Sequence, residues 1–239
     1  MKKKCIYFII AIFALTLSIN SVNADVYENY FGINMTSEQY NNLLNLGFSE
    51  NEIYYMSEET FEINKDLNAT LLTKNQTYYK TIYTDLNGNP LTTEITKNEY
   101  ENQSPMNARG TIVTEYKTMV TTISQNGNYF RYKVSLGWNN MPSTRSYDII
   151  GIGFDDPVYI YSPVYFAYAY CFSDGSCTSS ADYYHRTKTS TGGSVVYKLP
   201  TSNIIGLEAV LYYDVAKNTS NTITCRFAGK WKYVWVSND

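Results

Sequence analysis

The sequence predicts a mainly β protein, an antiparallel β-sandwich of about eight strands preceded by a small α-helical N-terminal segment. Tyrosine supplies 25 of the 239 residues, and aromatic and β-branched residues favour strands. From residue 111 onward, alternating apolar and polar runs are separated by turn pairs such as Asn126-Gly127 and Asp174-Gly175. Helix-start motifs stand ahead of these runs, so the two kinds of structure are expected in that order.

The helical segment is assigned to residues 25–68. Thr36 is followed three residues later by Gln39, and Ser49 is followed in the same way by Glu52. This is the spacing of a capping box, in which each side chain satisfies a backbone N–H of the other residue. Short acidic helices are therefore expected to begin at these two positions, and a third short helical turn is expected from Ser57.

Residues 69–100 are interpreted as a β-hairpin that turns at Asn87-Gly88. Residues 101–110 have no periodicity and contain Pro105 and Gly110, so they are assigned as a linker. Residues 111–239 then form the sandwich domain.

The strands of the sandwich are expected to bury one face each. Alternate residues from Phe130 to Trp138 are apolar, as are alternate residues from Ile205 to Tyr213. The predicted strands are 112–124, 129–138, 147–154, 158–172, 178–188, 194–199, 204–215 and 222–236.

Cysteine spacing predicts one disulfide. Cys171 and Cys177 flank Asp174-Gly175, and a turn there brings the two cysteines together. Cys225 shares strand parity with apolar residues and is interpreted as a buried thiol.

The first 24 residues have the pattern of a secretory signal peptide. Lysines precede an uncharged run from Cys5 to Leu17, and the small residues Val22 and Ala24 follow. We expect a secreted protein, extracellular or associated with the cell surface.

Charge is divided unevenly along the chain. Residues 25–109 carry 13 acidic and 5 basic residues, while residues 110–239 carry 9 and 11. No concentrated basic face is visible, so a nucleic-acid partner is not expected. The acidic segment is open to interpretation as a propeptide or as an electrostatic cover for the β-domain.

No catalytic residue, metal site or cofactor is predicted. His185 is the one histidine, its surroundings are polar, and the G-x-S-x-G motif is absent. The C-x5-C spacing of Cys171 and Cys177 is longer than that of zinc ligands. Asp155 and Asp156 are adjacent on the chain and point to opposite faces of a strand, unlike paired glycosidase carboxylates.

Tyrosine is the residue type that points to binding. Residues 157–172 contain five tyrosines, and tyrosine provides large contact area at low entropic cost. We assign ligand binding to Tyr159, Tyr161 and Tyr165, together with Asn140 and Arg145 of the polar loop 139–146.

The helical stretch "YFGINMTSEQYNNLLNLGFSENEIYYMSEETFEI" and the stretch "WNNMPSTRSYDIIGIGF" resemble uncharacterised exported proteins of low-GC Gram-positive bacteria. This resemblance implies a short helical leader module followed by a β-domain. It implies neither catalytic residues nor a ligand.

The expected function is non-enzymatic binding, with a cell-envelope glycan or a surface protein as partner and no cofactor. Two alternatives remain open. One is a membrane-active, pore-forming type of β protein in which the Thr-rich hairpin 111–136 contacts a membrane. The other is an extracellular hydrolase that uses His185 or scattered carboxylates. The oligomeric state is left unassigned.

Overall fold

The structure is a computed structural model. It describes residues 26–83, 91–102, 113–138, 141, 147–155, 157–201, 203–216, 225–229 and 236–237. The predicted signal peptide, the Asn87-Gly88 turn, linker residues 103–110 and the binding candidates Asn140 and Arg145 lie outside the described residues. The side chain of Cys225 is also outside them.

Four helices are described, and each follows a side-chain cap. They are α1 (Ser37–Asn45), α2 (Glu50–Tyr54), α3 (Glu58–Asn64) and α4 (Lys97–Glu101). The capping boxes predicted at Thr36 and Ser49 are both formed. Helix α4 was not predicted, although Thr96 and Glu99 form the same box. Residues 101 and 102, assigned above to the linker, end this helix.

Fourteen strands lie in the described part of the chain. They are β1 (Val26–Glu28), β2 (Asn34–Thr36), β3 (Thr70–Tyr83), β4 (Leu91–Ile95), β5 (Val113–Asn126), β6 (Tyr129–Trp138), β7 (Tyr147–Phe154), β8 (Tyr165–Phe172), β9 (Cys177–Ser180), β10 (His185–Thr189), β11 (Gly192–Lys198), β12 (Ile204–Ala216), β13 (Cys225–Gly229) and β14 (Val236–Ser237).

Two antiparallel sheets form the predicted sandwich. The larger has seven strands in the order β4-β3-β5-β6-β12-β8-β9, and the smaller has five in the order β10-β11-β7-β13-β14. Strands β1 and β2 form a separate small ribbon beside the helices. The fold class is therefore confirmed, with more strands in the sandwich than the expected eight.

The extra strands have simple causes. Strand β3 of the predicted hairpin pairs with β5 along most of its length, which makes the hairpin one edge of the seven-stranded sheet. The predicted strand 178–188 is interrupted at residues 181–184, and its halves β9 and β10 join different sheets. The predicted strand 158–172 becomes regular only at Tyr165.

The sandwich core follows the predicted alternation. Strand β6 contributes Tyr132, Val134, Leu136 and Trp138, and β12 contributes alternate residues from Leu207 to Val215. The opposing sheet contributes residues of β7 and β11. Ile205 was expected among them but is exposed, because a bulge between Ile204 and Gly206 shifts the register there.

The helical segment packs on the outer face of the seven-stranded sheet, the face turned away from the sandwich core. Phe48 and other apolar helix residues contact Val210 and Tyr212 of β12 and Tyr165 of β8. The approach is close, since a Cβ at Gly47 would collide with Thr122 of β5. Gly47 also has a φ of 89°, which favours glycine.

The predicted Cys171–Cys177 disulfide is present at the edge of the same sheet. The two cysteines are direct cross-strand partners of β8 and β9. The bond therefore joins the edge strand to its neighbour.

Candidate functional site: a polar groove around Glu208

The outer face of β12 changes character along the strand. Tyr212 and Val210 lie under the helical segment, where both are buried. Towards the start of the strand, Glu208 is only half-buried. Gly206 precedes it on the same face and is half-buried as well. The helical segment therefore leaves this part of the sheet open.

The open part of the face is a groove of about 660 Å³. We call it the Glu208 groove, and its principal lining residues are Asn51, Lys74, Gln76, Gly137, Gly206 and Glu208. They come from α2, β3, β6 and β12, so the groove exists only when the helical segment and the sheet are together.

Small residues form the floor around Glu208. Its cross-strand partners are Gly137 of β6 and Ala169 of β8. Gly206 pairs with Cys171 of the disulfide. Because glycine and alanine project little or nothing above a sheet, the Glu208 side chain meets no bulky side chain from its cross-strand partners.

Glu208 has one direct partner from the helical segment. The side-chain amide of Asn51 donates a hydrogen bond of 2.6 Å to its Oε2 atom. Burial, followed by repulsion from the nearby Glu52 carboxylate, raises the pKa of Glu208 to about 7. Glu208 therefore exchanges a proton near neutral pH and can donate or accept a hydrogen bond.

Glu52 lies beside Glu208, but both oxygens of its carboxylate already accept hydrogen bonds from protein groups. Its carboxylate receives hydrogen bonds from the Lys133 ammonium at 2.8 Å, from the Ser49 backbone N–H at 2.6 Å and from the Ser135 hydroxyl. Burial alone would raise the pKa of Glu52, but the Lys133 charge and these hydrogen bonds outweigh it and lower that pKa. Glu52 thus fixes the helical segment to the sheet.

A second buried ion pair supports the same interface further along the sheet. Arg131 of β6 donates hydrogen bonds of 2.7 and 3.0 Å to the carboxylate of Asp214 on β12. It also donates to Asn64 at the end of α3. These bonds position the helices and do not face the groove.

The walls of the groove combine rings with polar groups. Tyr55 follows α2 on one side, and Tyr100 of α4 stands on another. Between them the amide of Gln76, the ammonium of Lys74 and the hydroxyl of Thr118 line the groove. The site thus offers hydrogen-bond donors and acceptors together with aromatic surface.

The predicted tyrosine site is divided by the structure. Tyr159 and Tyr161 are 71% and 57% exposed, and Tyr161 stacks on Tyr129 with ring centroids 4.3 Å apart. They lie at the opposite end of β12, near Ala216. Tyr165 is elsewhere, half-buried against Tyr212 in the helix–sheet interface. None of the three lines the Glu208 groove.

The catalytic candidates considered above do not converge. His185 is exposed on the edge strand β10 of the other sheet, Asp155 is exposed after β7, and Asp156 lies outside the described residues. Across the described ranges, no three His, Cys, Asp or Glu side chains are grouped so as to hold a metal ion. None of the described helices has the length and apolar character needed to cross a membrane.

Sequence reasoning missed every principal residue of the Glu208 groove. Glu208 pairs with Gly137 across the sheet, and Asn51 reaches it from 157 residues away in the chain. Only the strand register and the docking of the helices bring these residues together. A charged residue within the apolar alternation of β12 was the one local signal.

No protein-family model matches the chain, and no curated protein matches it. The geometry of the groove is therefore the basis for any inference about function.

Proposed function

We propose that this chain is a secreted, non-enzymatic binding protein whose Glu208 groove holds a hydroxyl-rich ligand, a segment of a cell-envelope glycan. The observation that carries this proposal is the groove itself. It places one proton-exchanging carboxyl group on a floor of small residues, with an amide at hydrogen-bond distance.

The chemistry of the lining favours a glycan. Sugar hydroxyls both donate and accept hydrogen bonds, and the groove offers Asn51 and Gln76 amides, the Lys74 ammonium and the Glu208 carboxyl group. Tyr55 is half-buried and provides ring surface suited to stacking on a sugar, whereas Tyr100 is buried and contributes an apolar wall. A uniformly charged ligand would meet a group of its own sign at Lys74 or Glu208.

Binding is favoured over hydrolysis by the state of Glu52. A glycosidase of the common type uses two free carboxyl groups on either side of the scissile bond. Glu52 is the carboxylate whose charge helps to raise the pKa of Glu208, yet both its oxygens accept hydrogen bonds from protein groups. Within the described groove, Glu208 is the carboxyl group available to a ligand.

The membrane-active alternative has less support from the position of its hairpin. Strands β5 and β6 are central in the seven-stranded sheet and pair with β3 and β12 on their outer sides. Residues Arg131 to Leu136 of β6 are all buried. Insertion of this hairpin would require both pairings and the helix–sheet interface to break.

The test is co-sedimentation of the secreted chain with purified cell walls, followed by titration with glycans released from them. Gly206→Val fills the floor of the groove, and a Cβ there makes only ordinary contact, 3.5 Å from the Trp138 carbonyl oxygen. We expect Gly206→Val to weaken binding about tenfold or more, because the ligand loses its contact with the floor. Glu208→Gln should weaken it less, since it keeps the size of the side chain.

Two control variants locate the effect. Glu38→Gln changes an exposed carboxylate on α1 and should bind like the wild type. Tyr159→Ser with Tyr161→Ser removes the exposed tyrosines at the other end of β12. If that double variant loses binding while a folded Gly206→Val variant retains it, the tyrosines and not the groove hold the ligand.

Two further readouts separate the alternatives. If new reducing ends form in bound glycans, and no longer form with Glu208→Gln, the protein is a hydrolase and not a binding protein. Dye release from liposomes by the wild-type chain would favour the membrane-active protein.

A further inference from the structure

A second cleft lies within the helical segment. Its volume is about 450 Å³. We call it the tyrosine cleft and define it by Tyr27, Glu28, Tyr40, Glu50 and Tyr54. These residues come from β1, α1 and α2, three elements that the sequence places close together in the chain.

Aromatic rings form much of the lining. Tyr27 and Tyr40 stack with ring centroids 4.3 Å apart and an angle of 11° between their planes. Tyr54 contributes a third ring from α2 and is 46% exposed. An aromatic ring carries partial negative charge on its face, which attracts cations.

The carboxylates of the cleft lack a cationic partner. Glu28 and Glu50 are exposed, and neither forms an ion pair with another described residue. Residues 26–64 contain seven acidic residues and no Lys, Arg or His. Burial, and then the charge of Glu50, raise the pKa of the Tyr40 phenol, so the Glu50 carboxylate is close enough to act on a ring of the cleft.

The cleft is also held in shape before any ligand arrives. The buried Asn29 side chain donates to the carbonyl oxygens of Ile53 and Met56 at 3.4 and 2.8 Å. Its Oδ1 atom accepts the backbone N–H groups of Phe31 and Ile33, each at 3.0 Å. One side chain thus fastens the β1–β2 turn to the end of α2, so little ordering remains to oppose binding.

Glu50 and Tyr54 face the cleft together. They are four residues apart on α2, a spacing that places side chains on one face of a helix. Tyr27 and Glu28 approach from β1 at the other side. A ligand in the cleft therefore contacts ring surface and negative charge at once.

We propose that the tyrosine cleft binds an alkylammonium group. Rings and carboxylates together suit an organic cation that is weakly hydrated and carries C–H surface. A metal ion fits less well, because in the part of the chain that the structure describes no cluster of three ligating side chains occurs. The cation belongs to a small alkylated ammonium compound or to a lipid headgroup, which share this chemistry, whereas a lysine ammonium is strongly hydrated and fits less well.

The experiment titrates the full chain with tetramethylammonium ion and, separately, with tert-butanol, which has a similar shape without the charge. Chemical shifts of the tyrosine side chains report binding. We expect millimolar binding of the cation, with tert-butanol weaker by about fivefold or more. Equal affinities for the two probes would overturn the proposal, as would no binding of the cation.

The variants are matched in position. Glu50→Gln and Glu38→Gln each neutralise an exposed carboxylate in the first turn of a short helix. We expect Glu50→Gln to lower the affinity for tetramethylammonium several-fold and Glu38→Gln to leave it unchanged. Equal effects of the two would mean that the cation responds only to overall charge, and the site would be withdrawn.

The sources of the cation are then compared with the same two variants. Binding to free choline-type compounds or to phosphatidylcholine vesicles identifies the natural carrier, and a lysine-rich peptide, whose ammonium groups are strongly hydrated, serves as the control. In each case the assignment requires that Glu50→Gln reduces binding and Glu38→Gln does not. Asn51 lines both cavities, but neither Glu50 nor Glu38 lines the Glu208 groove, so failure of this test leaves the glycan proposal standing and is judged separately from it.

Discussion

The two faces of the seven-stranded sheet are both buried at its centre, but with opposite chemistry. Towards the other sheet, β6 presents Val134 and Leu136, which pack in an apolar core. Towards the helical segment, the same strand presents Arg131, Lys133 and Ser135, which are also buried. One strand therefore alternates between a core of hydrocarbon and a layer of charges.

The difference teaches what each interface contributes. Apolar contacts between the sheets are non-directional and supply most of the stability. Ion pairs under the helices gain little net energy after desolvation, but each has one partner at one place. The charged layer thus sets the position of the helical segment, which builds one wall of the Glu208 groove.

The largest effect is expected from breaking that layer. Lys133→Ala leaves the buried Glu52 carboxylate without its cation. We expect a loss of about 3 to 5 kcal/mol in the free energy of unfolding, measured by urea denaturation. Lys97→Ala removes an exposed ion-pair partner on α4 and serves as the control, with no measurable change expected.

A second substitution sharpens the comparison. Lys133→Met combined with Glu52→Gln removes both charges and keeps the volume. It should recover much of the lost stability, because no uncompensated charge remains. Failure to recover would mean that the pair itself stabilises the interface strongly.

How much of this molecule follows from its sequence depends on the range of the interaction. The caps at Thr36 and Ser49 and the Cys171–Cys177 disulfide were predicted, and each joins residues no more than six apart. The buried faces of β6 and β12 were predicted from alternation alone. Helix α4 was missed because its start at Thr96 lay inside an assumed hairpin.

The charged layer and the Glu208 groove could not be predicted from the sequence. Lys133 looks like an ordinary solvent-facing residue of a half-buried strand, and its partner Glu52 is 81 residues away. Glu52 was correctly identified as a capping residue, but its carboxylate also meets the sheet. That second role exists only when the helices pack on β6.

A smaller effect is expected at the sheet edge. Replacing Cys171 and Cys177 by serine opens a loop with a sequence separation of 6. By loop entropy this removes about 2 kcal/mol from the free energy of unfolding. Urea denaturation with and without a reducing agent measures it: the reductant should destabilise the wild type and leave the double variant unchanged. An equal response of both would contradict a role for this bond in stability.

The smallest effect is expected at Glu208, and it depends on pH. In the unfolded chain this carboxyl group ionises near its ordinary pKa of 4.5, whereas in the folded protein its pKa is about 7. Between these values the unfolded state loses its proton first, so stability falls as pH rises from about 4.5 to 7 and then levels off.

In the Glu208→Gln variant the side chain is neutral at every pH. The variant therefore does not lose stability as the pH rises from about 4.5 to 7. At pH 8 the variant should be more stable than the wild type by about 1 to 2 kcal/mol, an amount that allows for partial exposure to solvent. At pH 4.5 the two should differ little from each other. The lowered pKa of Glu52 acts only below this window, so it does not obscure the comparison. Thermal unfolding at several pH values, with Glu38→Gln as control, tests this. If the stability difference between wild type and Glu208→Gln does not change with pH, Glu208 keeps an ordinary pKa. The groove is then more open to water than the charged layer beside it.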